Sequence, residues 1–142
     1  MNDAARISEA VELGRRIGFV LLATADASGA PNLAAAGAIE KVSENRLSVS
    51  SWFCPHTASN LQNNPRLSIT VWDSAADEGY QILGTVEQVM ETAVIDGYVP
   101  EDAQSTRHPA QTQREVRVRV EKVISFSRAP YCDVTEEDPD VS

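Results

Sequence analysis

Cysteine is nearly absent from this chain of 142 residues. Cys54 and Cys132 stand far apart and match no metal-ligand spacing. Neither a disulfide framework nor a zinc site is therefore expected, and two free thiols in a reducing compartment are. Histidine is equally scarce, with only His56 and His108. The pair Cys54 and His56 lies on an extended segment, where residues two apart need not face each other, so a thiolate–imidazole nucleophile is not expected. Positive charge is also short: 12 Lys and Arg stand against 21 Asp and Glu, a net charge of −9. Neutralising a phosphate backbone needs Lys and Arg, so nucleic acid is not an expected partner, and an anionic lipid surface is disfavoured in the same way. No apolar run approaches the roughly 20 residues of a membrane helix. Residues 1–16 are polar, carry Asp3, Glu9 and Glu12, and lack the pattern of a secretory signal. A cytoplasmic protein is expected. G-x-S-x-G, P-loop and G-x-G-x-x-G signatures are missing as well.

What is present suits one globular domain over residues 1–130, followed by an acidic tail, 131–142, holding Asp133, Glu136, Glu137, Asp138 and Asp140. The apolar fraction of 42 % and charged fraction of 23 % are ordinary for such a domain. Ile7, Val11, Gly14 and Ile17 recur near one face, which predicts a helix over 3–17, capped by Asn2 or Asp3 and ended by Gly18. Phe19–Ala25 reads as a buried strand, and Asp26-Ala27-Ser28-Gly29 as a turn. Pro31–Ile39 reads as one returning strand whose small residues, Ala34-Ala35-Ala36-Gly37, leave room for something flat against the backbone. A strand over Leu47–Ser51, a helix over Thr57–Asn63 with Thr57 as its cap, and a strand over Leu67–Trp72 follow. Tyr80–Val89 is the next strand, with Gly84 marking a bulge or the close approach of a ligand. Residues 96–113 read as a long loop, and Glu115–Phe126 as the last strand. Short strands at this spacing favour a barrel, which removes exposed edges.

One segment points to chemistry. Across Ser50-Ser51-Trp52-Phe53-Cys54-Pro55-His56-Thr57 a strand ends and a helix starts. Free N–H groups and the Thr57 and Ser59 hydroxyls at that start would attract an anion such as a phosphate monoester. The same residues also fit an ordinary capped helix between two strands. Trp52 and Trp72 read as core or interface aromatics, and Arg117 and Arg119 as the wet face of a strand.

The sequence resembles the pyridoxamine-phosphate-oxidase-like, FMN-binding split-barrel superfamily. The likeness rests on Ala23-Thr24 with the turn Asp26-Ala27-Ser28-Gly29-Ala30-Pro31, on Asn60-Leu61 with Asn64-Pro65-Arg66, and on Tyr80 with Gly84, in that order. In size it is most similar to the small bacterial FMN-binding proteins. The resemblance implies a six- to seven-stranded antiparallel split β-barrel, mainly β with short helices, that holds FMN at a homodimer interface. It also implies ring-side residues Asn32, Ala34, Ala35, Ala36, Val49, Ser50 and Ser51, phosphate-side residues His56, Thr57 and Asn60, and Gln81 and Gly84 from the later strand. Relatives often carry Lys or Arg where this chain has His56-Thr57, so the compensating charge is sought in Arg114, Arg117 or Arg119. An FMN-dependent oxidoreductase or electron-transfer protein is the function implied, with no catalytic side chain and no metal ligand assigned. A deazaflavin- or haem-binding relative, and a cofactor-free dimeric barrel serving as a sensor or storage module, are the alternatives.

Overall fold

A computed structural model describes residues 3–95 and 111–128. The chain runs α1 (Asp3–Ile17), β1 (Val20–Ala25), β2 (Pro31–Ala36), β3 (Ala38–Ser43), β4 (Arg46–Trp52), α2 (Pro55–Asn63), β5 (Arg66–Asp73), β6 (Glu78–Ile95) and β7 (Gln111–Ser125). The strands form one antiparallel sheet of seven in the order β2-β1-β5-β6-β7-β4-β3. β2 and β3 stand at its two opposite edges, yet only Gly37 separates them in sequence. The sheet therefore has to curl until its edges meet. They meet without pairing, which leaves a split β-barrel that is not closed.

Alternation builds the interior. Val20 and Leu22, Leu67, Ile69 and Val71, and Val116 and Val118 all turn inward and are buried. Ile7, Ala10, Val11 and Leu13 of α1 complete this core. Gly14 lets the helix sit close, since a Cβ there would lie 2.7 Å from Ile39 Cγ2 and 3.2 Å from Val20 Cγ1. Gly18 then ends α1 at φ +96, its N–H donating to the Gly14 carbonyl at 2.9 Å. In the β1–β2 turn, Asp26 Oδ1 accepts from the Ser28 hydroxyl at 2.7 Å and from the Ser28 and Ala30 amides at 2.9 Å. Those bonds, the Ser28 hydroxyl first, hold the Asp26 carboxyl below its usual range.

Several expectations change. The single strand over Pro31–Ile39 is two strands, β2 and β3, because the chain switches sheet edges at Gly37. The helix begins at Pro55, and Cys54 rather than Thr57 occupies the cap position, with no side-chain capping bond. Proline's fixed φ and missing N–H suit the first helical position, which moves the start two residues earlier. β6 and β7 are longer than expected, so Gln111, Thr112 and Gln113 are strand rather than loop. The remainder of the expected loop, residues 96–110, and the tail 131–142 with Cys132 lie outside the described residues. Gly84 does sit at a register shift. What approaches it is β7: a Cβ there would meet Val118 Cγ1 at 2.6 Å and the Arg119 carbonyl oxygen at 2.7 Å.

Candidate functional site

The split brings β2, the end of β4 and the start of α2 to one corner. β4 buries Leu47, Ser48 and Val49 in succession and then kinks. Ser51 takes φ +61, the register against β7 shifts between Ser50 and Trp52, and Trp52 turns back into the core. Its indole Nε1 donates to the Val49 carbonyl at 3.0 Å, which fixes the anchor. A residue held in the left-handed region costs of order 1–3 kcal/mol, and bulges of this kind re-aim side chains. Here the kink exposes Ser51. Continuing the β3–β4 register beyond Ala38 and Ser50, the Gly37 N–H donates to the Ser51 carbonyl at 3.0 Å, and a Cβ on Gly37 would lie 3.1 Å from Ser51 Cβ. Gln113 Nε2 of β7 donates to Ser51 Oγ at 3.4 Å.

α2 is fastened to the corner by two side-chain bonds. Asn32 Nδ2 of β2 donates to Thr57 Oγ1 at 3.1 Å, and Asn60 Nδ2 donates to Thr24 Oγ1 of β1 at 3.0 Å. Leu61 and the fully buried Thr57 complete the dock. The first turn, by contrast, has no side-chain cap. Pro55 brings no N–H, so the amides of His56 and Thr57 are its first donors without an intrahelical acceptor. His56 itself is exposed. Arg114 of β7 reaches in from the side: its Nη1 donates to the Phe53 carbonyl and, at 3.2 Å, to the Thr112 carbonyl.

The sequence-predicted residues fall into three groups. Asn32, Ala35, Ser50, Ser51 and His56 lie at the corner with at least part of their surface accessible. Ala34, Ala36, Val49 and Thr57 are buried, and Asn60 is spent on Thr24, so these five support the corner from behind. Gln81 and Gly84 lie apart within this chain. β1 and β5 separate β6 from β2, and β7 separates it from β4, at ~4.8 Å per strand. Gln81 Nε2 donates to Ser68 Oγ at 2.8 Å. Gly84 borders a separate open groove of about 340 Å3 with Ala23, Asn64 and Arg66.

Two residues at the corner escaped the sequence reading. Leu33, between Asn32 and Ala34, is 64 % exposed on β2. Period-two alternation assigns it the face opposite its buried neighbours, and that was the available signal. Gln113 had no signal, because its segment read as loop. A surface groove of about 910 Å3 lies elsewhere, between α1 and the ends of β6 and β7. Glu9, Glu12, Asp77 and Glu78 line it with Arg16, a net acidic setting that disfavours anions. There Tyr80 Oη donates to Glu9 Oε2 at 2.6 Å, and burial, followed by that bond, pushes the phenol up to about 12. No helix among the described residues is long and apolar enough to cross a membrane.

A family model described as pyridoxamine 5'-phosphate oxidase matches residues 7–127. The chain belongs to that family. Solved structures agree on the fold. HupZ of Group A Streptococcus superposes with a TM-score of 0.62 at 18 % identity, over 88 % of this chain and 97 % of its own. An FMN-binding protein of Syntrophomonas wolfei gives 0.60 at 15 % identity, over 89 % and 92 %. The haem storage protein HutZ of Vibrio cholerae gives 0.51 at 16 % identity, over 84 % and 92 %. At such identities the likeness is one of fold. No curated protein matches the chain. In this pyridoxamine 5'-phosphate oxidase-family barrel, the corner at Gly37 and Ser51 joins the two edges of the split, and the uncapped helix start and Arg114 adjoin it.

Proposed function

We propose that this protein binds FMN at the corner between β2, β4 and α2 and uses it in oxidation–reduction. The observation that supports this best is the corner itself, where an accessible strand edge, the outward kink at Ser51, an uncapped helix start and an arginine converge. The donor chemistry fits the cofactor. Among the described residues β2 pairs with β1 alone, so its outer edge offers alternating N–H and C=O groups. The pyrimidine rim of a flavin presents a complementary acceptor–donor–acceptor row. First-turn amides, exposed His56 and Arg114 suit a phosphate monoester. Ala35 and Ser51 are small enough to let a flat ring approach the backbone.

When bound, FMN supplies hydride- or electron-transfer chemistry. The chain's own residues then have three tasks. The edge of β2 orients the ring, the corner's polar groups hold the phosphate end, and Leu33 with Ala35 presents an apolar surface that excludes water. A β-edge with Leu33 64 % exposed is a poor surface to leave in solvent. We take a second copy of the chain to cover it and to complete the pocket, giving a homodimer.

Exposed His56 supports haem as a second reading, since it is the imidazole that the corner offers as an axial ligand. Titration of the purified protein with FMN, followed by flavin fluorescence, separates the two. Quenching that saturates at one FMN per chain supports the flavin reading. Absence of quenching, together with a haemin complex whose Soret band is altered in His56→Ala, would replace it with haem.

A further inference from the structure

Within the FMN reading, on which this rests, we infer that Arg114 supplies the positive charge for the cofactor's phosphate. Among the described residues, Arg6 and Arg114 are the arginines with no carboxylate at ion-pair distance. Arg6 works elsewhere, donating to the Val123 carbonyl and to Ser125 Oγ. The two arginines that follow Arg114 on β7 are engaged: Arg117 Nε lies 2.9 Å from Glu115 Oε2, and Arg119 Nη2 lies 3.6 Å from Glu121 Oε2. Arg114 faces Glu91 across the β6–β7 ladder yet makes no ion pair with it. Its guanidinium turns instead to the β4 side, where one nitrogen, Nη1, takes both the Phe53 and Thr112 carbonyls.

This half-buried guanidinium is held by carbonyls, and among the described residues no carboxylate pairs with it. The forked geometry matters as well. With Nη1 committed to the protein, the Nε and Nη2 hydrogens are the ones left to pair with a tetrahedral anion. The Phe53 carbonyl lies two residues before Pro55, so this anchor sets the charge beside the start of α2. The cation in this chain thus comes from the strand that crosses behind the corner, and the helix itself supplies no Lys or Arg over Pro55–Asn63.

The test compares FMN with riboflavin, which has the same ring but no phosphate. Both are titrated against the full-length wild type, Arg114→Gln, Arg114→Lys and Arg117→Gln, with flavin fluorescence as the readout and circular dichroism as a check on folding. Arg114→Gln should weaken FMN at least tenfold and leave riboflavin within about twofold, in line with the loss of a charge-assisted bond. Arg117→Gln should leave both ligands unchanged, because that side chain is held by Glu115. Arg114→Lys, which keeps the charge and serves if the glutamine variant unfolds, should retain a preference for FMN over riboflavin. Equal loss of both ligands would make Arg114 only a brace for the Phe53 turn and overturn the inference. So would unchanged FMN affinity in Arg114→Gln, or loss of the FMN preference in a folded Arg114→Lys. A wild type that binds neither flavin would overturn the FMN reading itself.

Discussion

Thr57→Val tests whether the hydroxyl at the start of α2 serves the fold or a ligand. Thr57 is fully buried, and its Oγ1 already accepts from Asn32 Nδ2 at 3.1 Å. Valine keeps the shape and removes the acceptor, which leaves the Asn32 amide without its partner. A buried donor stripped of its acceptor costs about 1–3 kcal/mol. Asn32 is only partly buried, so water can reach it and the lower half of that range applies. For a domain of this size the melting temperature should fall by roughly 3–8 °C. The double variant Asn32→Leu/Thr57→Val removes both partners and should recover much of the loss, a coupling of about 0.5–1.5 kcal/mol in a double-mutant cycle. Urea unfolding followed by tryptophan fluorescence measures the stability, and a flavin titration measures the affinity. The expected result is a less stable protein whose folded fraction binds FMN within about threefold of wild type. Unchanged stability with a tenfold or greater loss of FMN would refute the reasoning, since it would make the hydroxyl a ligand contact.

Further outcomes follow from the same geometry. Gly84→Ala forces a Cβ to within 2.7 Å of the Arg119 carbonyl oxygen; backbone cannot step aside cheaply, and the urea midpoint should report a loss of about 1–3 kcal/mol. Tyr80 titrates late, at about 12. The unfolded chain loses that proton first, near pH 10, so the Tyr80 contribution to stability is intact below pH 10 and is lost between pH 10 and 12. Absorbance at the tyrosinate band should show a late phase that vanishes in Tyr80→Phe, and a Tyr80→Phe protein that keeps it would refute the assignment.

The strands were legible where one face meets the core. Leu67, Ile69 and Val71 alternate with Ser68, Thr70 and Trp72, and the structure buries the first three. The break at Gly37 was not legible, because nothing local distinguishes a strand that continues from one that changes edges; beyond Gly37 the chain pairs with β4 instead of β1, a partner distant in sequence. The same holds for the kink at Ser51. A serine at φ +61 has no sequence signature, and Trp52's demand for the core produces it. The helix starts ahead of the Thr57 hydroxyl because proline fits the first helical position without a capping side chain. At the site, Asn32, Ser51 and His56 are implied by the family resemblance, and the structure brings them to one corner. Period-two burial sorts the rest: Ala35 faces out, and Ala34 and Ala36 face in. The proposed choice of Arg114 over Arg117 and Arg119 needs three dimensions, since Glu115 and Glu121 engage the latter two and the Phe53 carbonyl holds the first beside α2.

The visible absorbance spectrum of the purified protein, recorded after incubation with excess FMN and desalting, tests the proposed cofactor most directly. A two-band flavin spectrum that stays with the protein at one FMN per chain is the expected result. A colourless protein after the same treatment would contradict FMN binding, leaving the split barrel to another ligand or to none.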